Sequence, residues 1–408
     1  MWLITTQMQM NGFLRAFFGV IIAFITLCTE PCLSQTDTFF VARSTGKLAY
    51  LNYGLGSDRL GGARIGSIDS LVLLKITAYH KEQYHVELAS GFTAWIPKNM
   101  VRPDTITSLP TQHLTGAWRV WGKGQADYLS VSLPERLPYR SWQEVDPSKI
   151  CVEIFGATSN TNWITQLKSA KEIKYVDYQQ ISDGIFRITI QLKHRQHWGH
   201  SVYYAGKRLT VKIRHQPALL KLKNLTVALD AGHGGTNLGA VGRNSGILEK
   251  NLNLSIVGFL KSELEKKGAV VLLTRPSDTL INNSDRILQM RQLLPDLLIS
   301  VHNNAASDSA VGGTSTYYKH LGFRGLSQKL LDRLLELDLN EYGNVGSFNF
   351  AFNSPTEYPN VLVEGAFMSN PSDEKRLTDV GFQKKMAKKI VKGLTDWLRS
   401  IRKQKLIK

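Results

Sequence analysis

The sequence predicts a multidomain chain: two small β-rich domains, then a C-terminal α/β domain with a largely parallel sheet flanked by helices. Three observations predict it. Stretches from about Thr38 to Pro103 and from Trp118 to about Gln216 carry short apolar or alternating runs cut by glycine-rich turns, as small β domains do. From Leu222 onward, short apolar runs alternate with amphipathic stretches, the pattern of a sheet covered by helices. The length of 408 residues suits two or three cores rather than one.

At the start of the chain, Arg15 precedes the apolar run from Ala16 to Cys28, and Cys32-Leu33-Ser34 precede Gln35. A positive residue, a short apolar core and a small residue at its end predict a secretory signal over residues 1–34. The run is shorter than the ~20 residues that a spanning helix needs, so cleavage near Ser34 is expected over a membrane anchor. The expected location is therefore exported, in the periplasm or cell envelope. Cys28 and Cys32 fall in this segment, leaving Cys151 alone in the exported chain. Thiolate clusters are thereby excluded, and any metal must be held by histidines and carboxylates. The net charge of +17 favours an anionic partner. Export argues against nucleic acid as that partner.

Residues 37–104 form the first expected domain, with strands at 71–76, 84–88 and 92–97. Its Tyr84/Val86 pattern and closing Ala94-Trp95-Ile96-Pro97 resemble bacterial SH3-like domains, which implies a small barrel. The polar stretch after Pro103, with Pro110, reads as a linker. Residues 112–217 form the second domain. Ile185–Leu192 and Leu209–Ile213 alternate as half-buried strands do. In pattern and position this region is similar to β-rich AMIN-like localisation domains. His194, His197 and His200 invite a metal reading. On strands, however, a spacing of three puts neighbours on opposite faces, and Gly199 argues against a helix, so they are read as loop histidines.

The C-terminal domain spans 222–404. Strands are expected at 225–230, 269–274, 297–301 and 360–363. Helices are expected at 251–267 (closed by Gly268), 285–294, 325–339 and 382–401. Three of these strands run into unusual residues: the first into Asp230-Ala231-Gly232-His233-Gly234-Gly235, the third into Ser300-Val301-His302-Asn303-Asn304, the fourth into Val363-Glu364-Gly365. Open α/β sheets bind ligands beyond the carboxyl ends of their strands, so His233, His302 and Glu364 can share one cleft. Glu249, just before a helix, sits in a loop long enough to join them. Two histidines and a carboxylate form a catalytic zinc set with a position left for water. A further carboxylate is then needed to move protons, and Glu364 has the right address. Each residue alone has a plainer reading: His233 as a turn residue, His302 as a buried core histidine, Glu249 as a helix N-terminal carboxylate favoured by the dipole, and Glu364 as an ion-pair partner.

The string Val227-Ala228-Leu229-Asp230-Ala231-Gly232-His233-Gly234-Gly235 resembles the opening of the zinc-dependent N-acetylmuramoyl-L-alanine amidases. So do Leu248-Glu249-Lys250-Asn251-Leu252-Asn253-Leu254, Leu273–Asp278 with Arg286, Asp296 leading into Ile299–Ala305, and Leu362–Pro371 with Asp373-Glu374. The motifs run in order over about Leu222 to Leu398. Ala366 and Met368 depart mildly from the family pattern. The resemblance implies Zn2+ held by His233, Glu249 and His302, catalysis by Glu364, and hydrolysis of the amide between N-acetylmuramic acid and L-alanine in peptidoglycan. Glu374 and Asn304 match as supporting residues. The short stretch from Ala305 to Leu321 predicts no large inhibitory plug, leaving the N-terminal regions to govern location. A protein activator stays open as a partner. The Lys-rich end (Lys384, Lys385, Lys388, Lys389, Lys392) reads as a solvated face, with weak association with anionic envelope surfaces as the alternative. Two other functions compete: zinc hydrolysis of ordinary peptides, and a catalytically silent or activator-dependent wall-binding protein.

Overall fold

The computed structural model describes residues 40–57, 61–105 and 112–404. The expected signal segment, with Cys28 and Cys32, and part of the expected linker lie outside the described residues. Among the described residues, no helix is long and apolar enough to cross a membrane.

Residues 40–103 form a seven-stranded antiparallel sheet whose central strands are Phe92–Pro97, Gln83–Ala89 and Leu73–His80. Alternation turns Leu74 and Ile76 inward, where they are almost fully buried. The next region pairs a five-stranded with a four-stranded sheet. Ile185–Leu192 buries Phe186, Ile188, Ile190 and Leu192 and exposes their neighbours more. Trp118 meets Phe186 edge-on across the two sheets, with centroids 5.9 Å apart. The two β-rich regions share one continuous apolar core, joined where Phe92 stacks on Phe155 at 4.9 Å.

The C-terminal region opens with β1 (Thr226–Ala231), α1 (Glu249–Glu265), β2 (Val270–Leu273), α2 (Asn283–Leu293) and β3 (Leu297–Asn304). β4 (Thr314–Tyr317), α3 (Arg324–Leu334), β5 (Glu341–Val345) and β6 (Asn360–Phe367) follow, then α4 (Pro371–Thr378) and α5 (Val380–Arg402). The strand order is β2-β1-β3-β6-β4-β5. The first four strands are parallel, but β4 runs antiparallel to β6 and carries β5 parallel to itself. The sheet is thus mixed, with four parallel pairings and one antiparallel, where the sequence leads one to expect a largely parallel sheet. The reason is chemical. β4 is Thr-Ser-Thr-Tyr, fully buried, and satisfies its hydroxyls locally: Thr314 Oγ1 donates to the Glu364 carbonyl at 3.1 Å and Thr316 Oγ1 to that of Ser327 at 3.1 Å. Such a strand has no apolar alternation to find. The expected helix to Leu339 stops at Leu334, and Asp338 is left-handed at φ 56°.

The β-rich regions are seated firmly on this domain. Trp198 stacks on Trp397 at 5.3 Å, and Arg214 pairs with Asp296 at 3.2 Å. The His200 N–H donates to the Thr356 carbonyl at 2.7 Å. Gly199, at φ +115°, passes so close that a Cβ there would lie 2.2 Å from the Glu357 carbonyl oxygen.

Candidate metal centre

The turn after β1 is held from below. Asp230 is fully buried and accepts from Thr274 Oγ1 (2.6 Å), Arg286 Nη1 (2.8 Å) and Ser300 Oγ (2.6 Å). A buried carboxylate so satisfied is a rigid anchor. Two buried guanidiniums then clamp the backbone: Arg275 donates to the carbonyls of Ala231 (2.7 Å) and Gly232 (3.0 Å), and Arg286 to those of Ala231 (2.8 Å) and His233 (2.5 Å). The clamp holds His233 at φ 63°, a conformation that costs a non-glycine residue about 1–2 kcal/mol. Backbone strain of this kind collects at functional sites.

Glu249 is the first residue of α1. The preceding loop doubles back so that Val241 bridges Leu248. Its tip is tied by Glu374 of α4, whose carboxylate accepts from Asn244 and Ser245 backbone N–H groups and from both their side chains, at 2.7–3.0 Å. Burial alone would raise the Glu374 pKa, but these bonds hold it below the usual carboxylate range. The Glu249 carboxylate itself accepts from Ala240 N–H (2.8 Å), Asn253 Nδ2 (3.1 Å) and Asn303 N–H (3.2 Å).

The expected ligands meet. Glu249 Oε2 lies 3.0 Å from His233 Nε2, and its Oε1 lies 2.9 Å from His302 Nδ1. One donor atom from each residue falls within 4.8 Å of the others, the one such group among the described residues. Glu364 stands beside them: β3 and β6 are in register with His302 opposite Glu364. His194, His197 and His200 are placed elsewhere. His194 Nδ1 faces Glu172 at 2.5 Å, His197 Nε2 faces the Glu144 carbonyl at 2.8 Å, and His200 Nε2 faces Ser141 Oγ at 3.0 Å.

This group fits a zinc ion. A tetrahedral zinc with bonds of ~2.0–2.1 Å spaces its donors ~3.4 Å apart, and the three donors here lie within 4.8 Å of one another, with each histidine nitrogen about 3 Å from a Glu249 oxygen. The site also favours positive charge. Burial would depress the His302 pKa, yet the hydrogen bond and charge of Glu249, with the charges of Glu364 and Asp230, raise it to about 9. Desolvation would raise Glu249, but its bonds to His233 and His302 drive it far below the ordinary range. Two glycines leave room for the rings: a Cβ at Gly232 would come within 2.2 Å of His302, and one at Gly239 within 2.4 Å of Glu249 Oε2. Asn237 Oδ1 faces His233 Nδ1 at 2.9 Å and fixes its ring.

The group sits in a cleft of about 730 Å³ lined wholly by the C-terminal region. The stretch from Ala305 to Leu321 leads into β4 and joins the sheet. One wall of the cleft escaped the sequence reading: Phe350, Ala351 and Phe352. The alternating aromatics Phe348, Phe350 and Phe352 were its available signal.

Two regions of the chain match known protein families. Residues 227–396 match the N-acetylmuramoyl-L-alanine amidase family, and residues 117–214 match the AMIN domain. The N-acetylmuramoyl-L-alanine amidase LytC of Bacillus subtilis is 31% identical over 179 residues, which are 43% of this chain and 36% of LytC. The chain thus spans about a third of that relative's length. Protein YqiI of the same organism, itself uncharacterised, is 31% identical over 180 residues, covering 43% of this chain and 86% of YqiI. The solved catalytic domain of CwlV, an N-acetylmuramoyl-L-alanine amidase from Bacillus (Paenibacillus) polymyxa var. colistinus, is 31% identical and aligns over 43% of this chain and 98% of that one, with a TM-score of 0.41. The chain belongs to the N-acetylmuramoyl-L-alanine amidase family.

Proposed function

We propose that this protein hydrolyses the amide between N-acetylmuramic acid and the L-alanine of the peptidoglycan stem peptide, working in the cell envelope after export. The observation that carries the reading is the convergence of His233, Glu249 and His302, with Glu364 alongside, in one cleft of a family member. His233, Glu249 and His302 would hold zinc, which supplies an activated water and polarises the carbonyl under attack. The chain's own residues do the rest. Asn237 orients the His233 ring, and Asn253 and the Asn303 N–H orient Glu249. Glu364 takes the proton from the attacking water and delivers it to the departing alanine nitrogen. The buried Asp230–Arg286 pair keeps the turn fixed while charge moves above it. The AMIN-matching region and the sheet before it position the cleft on the wall.

Digestion of purified peptidoglycan by the protein, read by mass spectrometry, tests this. Free stem peptides beginning with L-alanine are expected, lost with a chelator and restored by zinc. The Glu364→Ala variant should retain bound zinc and lose about 10²–10⁴-fold in rate. Cuts within the stem, or full activity in that variant, would overturn the reading.

A further inference from the structure

A second cavity lies where the three regions meet. It encloses about 480 Å³ between the N-terminal sheet, the AMIN-matching region and the segment after β5 of the catalytic region. Four cations reach it: Arg64, Arg140, Arg187 and Lys319. Arg140 and Arg187 share one carboxylate, the buried Glu153, each at 2.6 Å. Arg64 and Lys319 have no carboxylate partner among the described residues. Arg64 lays its guanidinium over the Tyr50 ring at 3.9 Å, and its Nε–H is buried without an acceptor. Lys319 Nζ donates only to neutral oxygens, the Arg64 carbonyl at 3.2 Å and Asn349 Oδ1 at 3.4 Å. Among the described residues that line this cavity or pair with its cations, four cations thus face one carboxylate.

Taking cations from water without counter-charge is costly. The cost shows at Lys319, where burial first and the charge of Arg64 second lower the pKa to about 8. In the adjoining cavity, which Arg64, Arg140 and Lys319 also line, Glu357 is paired with Arg291 at 2.6 Å, and Asp69 accepts from the Tyr204 N–H at 2.6 Å and keeps its charge, so two carboxylates there offset part of the excess but not all of it. A site carrying surplus half-buried positive charge suits an anion, and guanidinium forks suit carboxylate or phosphate oxygens. The volume and the lining choose between these. The cavity far exceeds a phosphate ion, and Tyr53, Ile65 and Trp142 give it apolar walls, which suit an anionic group on an organic body.

We propose that this junction binds an anionic oxygen group of the wall, a stem-peptide carboxylate, at a site separate from the metal centre. The proposal rests on the wall-amidase reading for the identity of its ligand. Continuity supports it: Ser347 and Asn349 line the junction, while Phe350, Ala351 and Phe352 of the same segment wall the cleft. The Asn349 amide also donates to the Gly62 carbonyl at 3.0 Å, tying that segment to the N-terminal sheet. A strand with one stem peptide in the cleft has a neighbouring peptide to place here.

Calorimetric titration of the full chain tests the site with three probes: a synthetic stem peptide with free carboxylates, the same peptide fully amidated, and inorganic phosphate. The free peptide should bind, with affinity falling as salt rises, and the amidated peptide should bind at least about tenfold more weakly. Arg64→Gln and Lys319→Gln should each weaken the free peptide about tenfold or more. Both variants should cleave a soluble muramyl peptide within about twofold of the parent rate, because neither residue lines the cleft. Equal binding of free and amidated peptides, or unchanged affinity in both variants, overturns the proposal. Phosphate binding that the two variants abolish, with no peptide binding, overturns the peptide source. Should a variant fail to fold, the comparison of free with amidated peptide on the parent decides alone. Failure of the parent to cleave the soluble substrate counts against the amidase reading, and leaves the binding result to stand by itself.

Discussion

At Gly239 the backbone is left-handed, φ +70°, and a Cβ would press to 2.4 Å from Glu249 Oε2 and 2.7 Å from His233 Cδ2. One added methyl therefore strains the turn and pushes two proposed zinc ligands apart at once. Gly239→Ala is expected to lower zinc affinity about 10–100-fold, the scale of losing a ligand-orienting contact, while the protein still folds. Chelator competition at fixed pH measures this, and parent-like affinity would show that the cradle is not needed. Cys151 is the opposite case, a free thiol buried away from the site. Burial first and the Glu144 charge second push its thiol up to about 12, and only thiolate reacts with alkylating reagents. Labelling by iodoacetamide at pH 8 should be slow in the native protein and fast in denaturant. Rapid native labelling would place the thiol in a different environment.

At the scale of elements, the loop before α1 carries Glu249 to the site, and Glu374 of α4 is what folds it. Glu374→Ala removes an acceptor of five hydrogen bonds and leaves the Asn244 and Ser245 N–H groups without it. A loss of about 2–3 kcal/mol is expected, with faster tryptic cutting after the exposed Arg243 and weaker zinc binding. Urea melts and limited proteolysis would show it; unchanged proteolysis would mean that the loop holds its shape by other contacts. The sequence showed Glu374 only as a family match, because its partners lie 129 and 130 residues away. The strands β1, β3 and β6 and the residues at their ends were legible, since apolar runs and strand-end histidines are local signals. β4 was not, because Thr-Ser-Thr-Tyr is buried by hydroxyl bonding rather than by hydrophobic pattern. β5 was missed for a similar reason: Glu-Tyr-Gly-Asn-Val sits at the sheet edge and is largely open to solvent. The demand on Gly239 arises only when Glu249 and His233 close around it, so no local pattern announces it. The Lys-rich face of α5 is solvated as expected, with Lys384, Lys385, Lys388 and Lys392 exposed, and Lys389 and Lys392 also meet Glu336 across the helix surface, at 2.5 and 3.5 Å, a pairing no local pattern announces.

At the scale of the whole molecule, the seam between the AMIN-matching region and the catalytic region is lined by neutral histidines. His197 and His200 are almost wholly buried. Burial lowers the His197 pKa to about 4 and that of His200 to about 3, the latter helped by the neighbouring His320 and His197, and His320 itself is brought to about 4. The groups around them offer no counter-charge: a Cβ at Gly322 would touch the His197 ring, Lys319 adds positive charge near His320, and Glu144 presents its backbone carbonyl to His197. Above pH 6.5 these rings are neutral whether the chain is folded or not, and the seam has its full stability. As pH falls below 6.5 the unfolded chain takes up protons that the folded chain refuses until about pH 4, so stability is lost across that window. His197 and His200 each account for roughly 3 kcal/mol by pH 4. The seam also holds the Trp198–Trp397 stack and the Arg214–Asp296 pair, so its opening should separate the β-rich regions from the C-terminal region before either core melts. Urea unfolding at pH 7 and pH 4.5, with Trp fluorescence for the seam and far-ultraviolet dichroism for the cores, should show the fluorescence transition moving to lower urea with acid. In His200→Phe, which removes one of the three titrating rings, about a third of that shift should disappear. A fluorescence midpoint that stays put between the two pH values, or an acid shift of the same size in that variant, would place the acid sensitivity elsewhere in the chain.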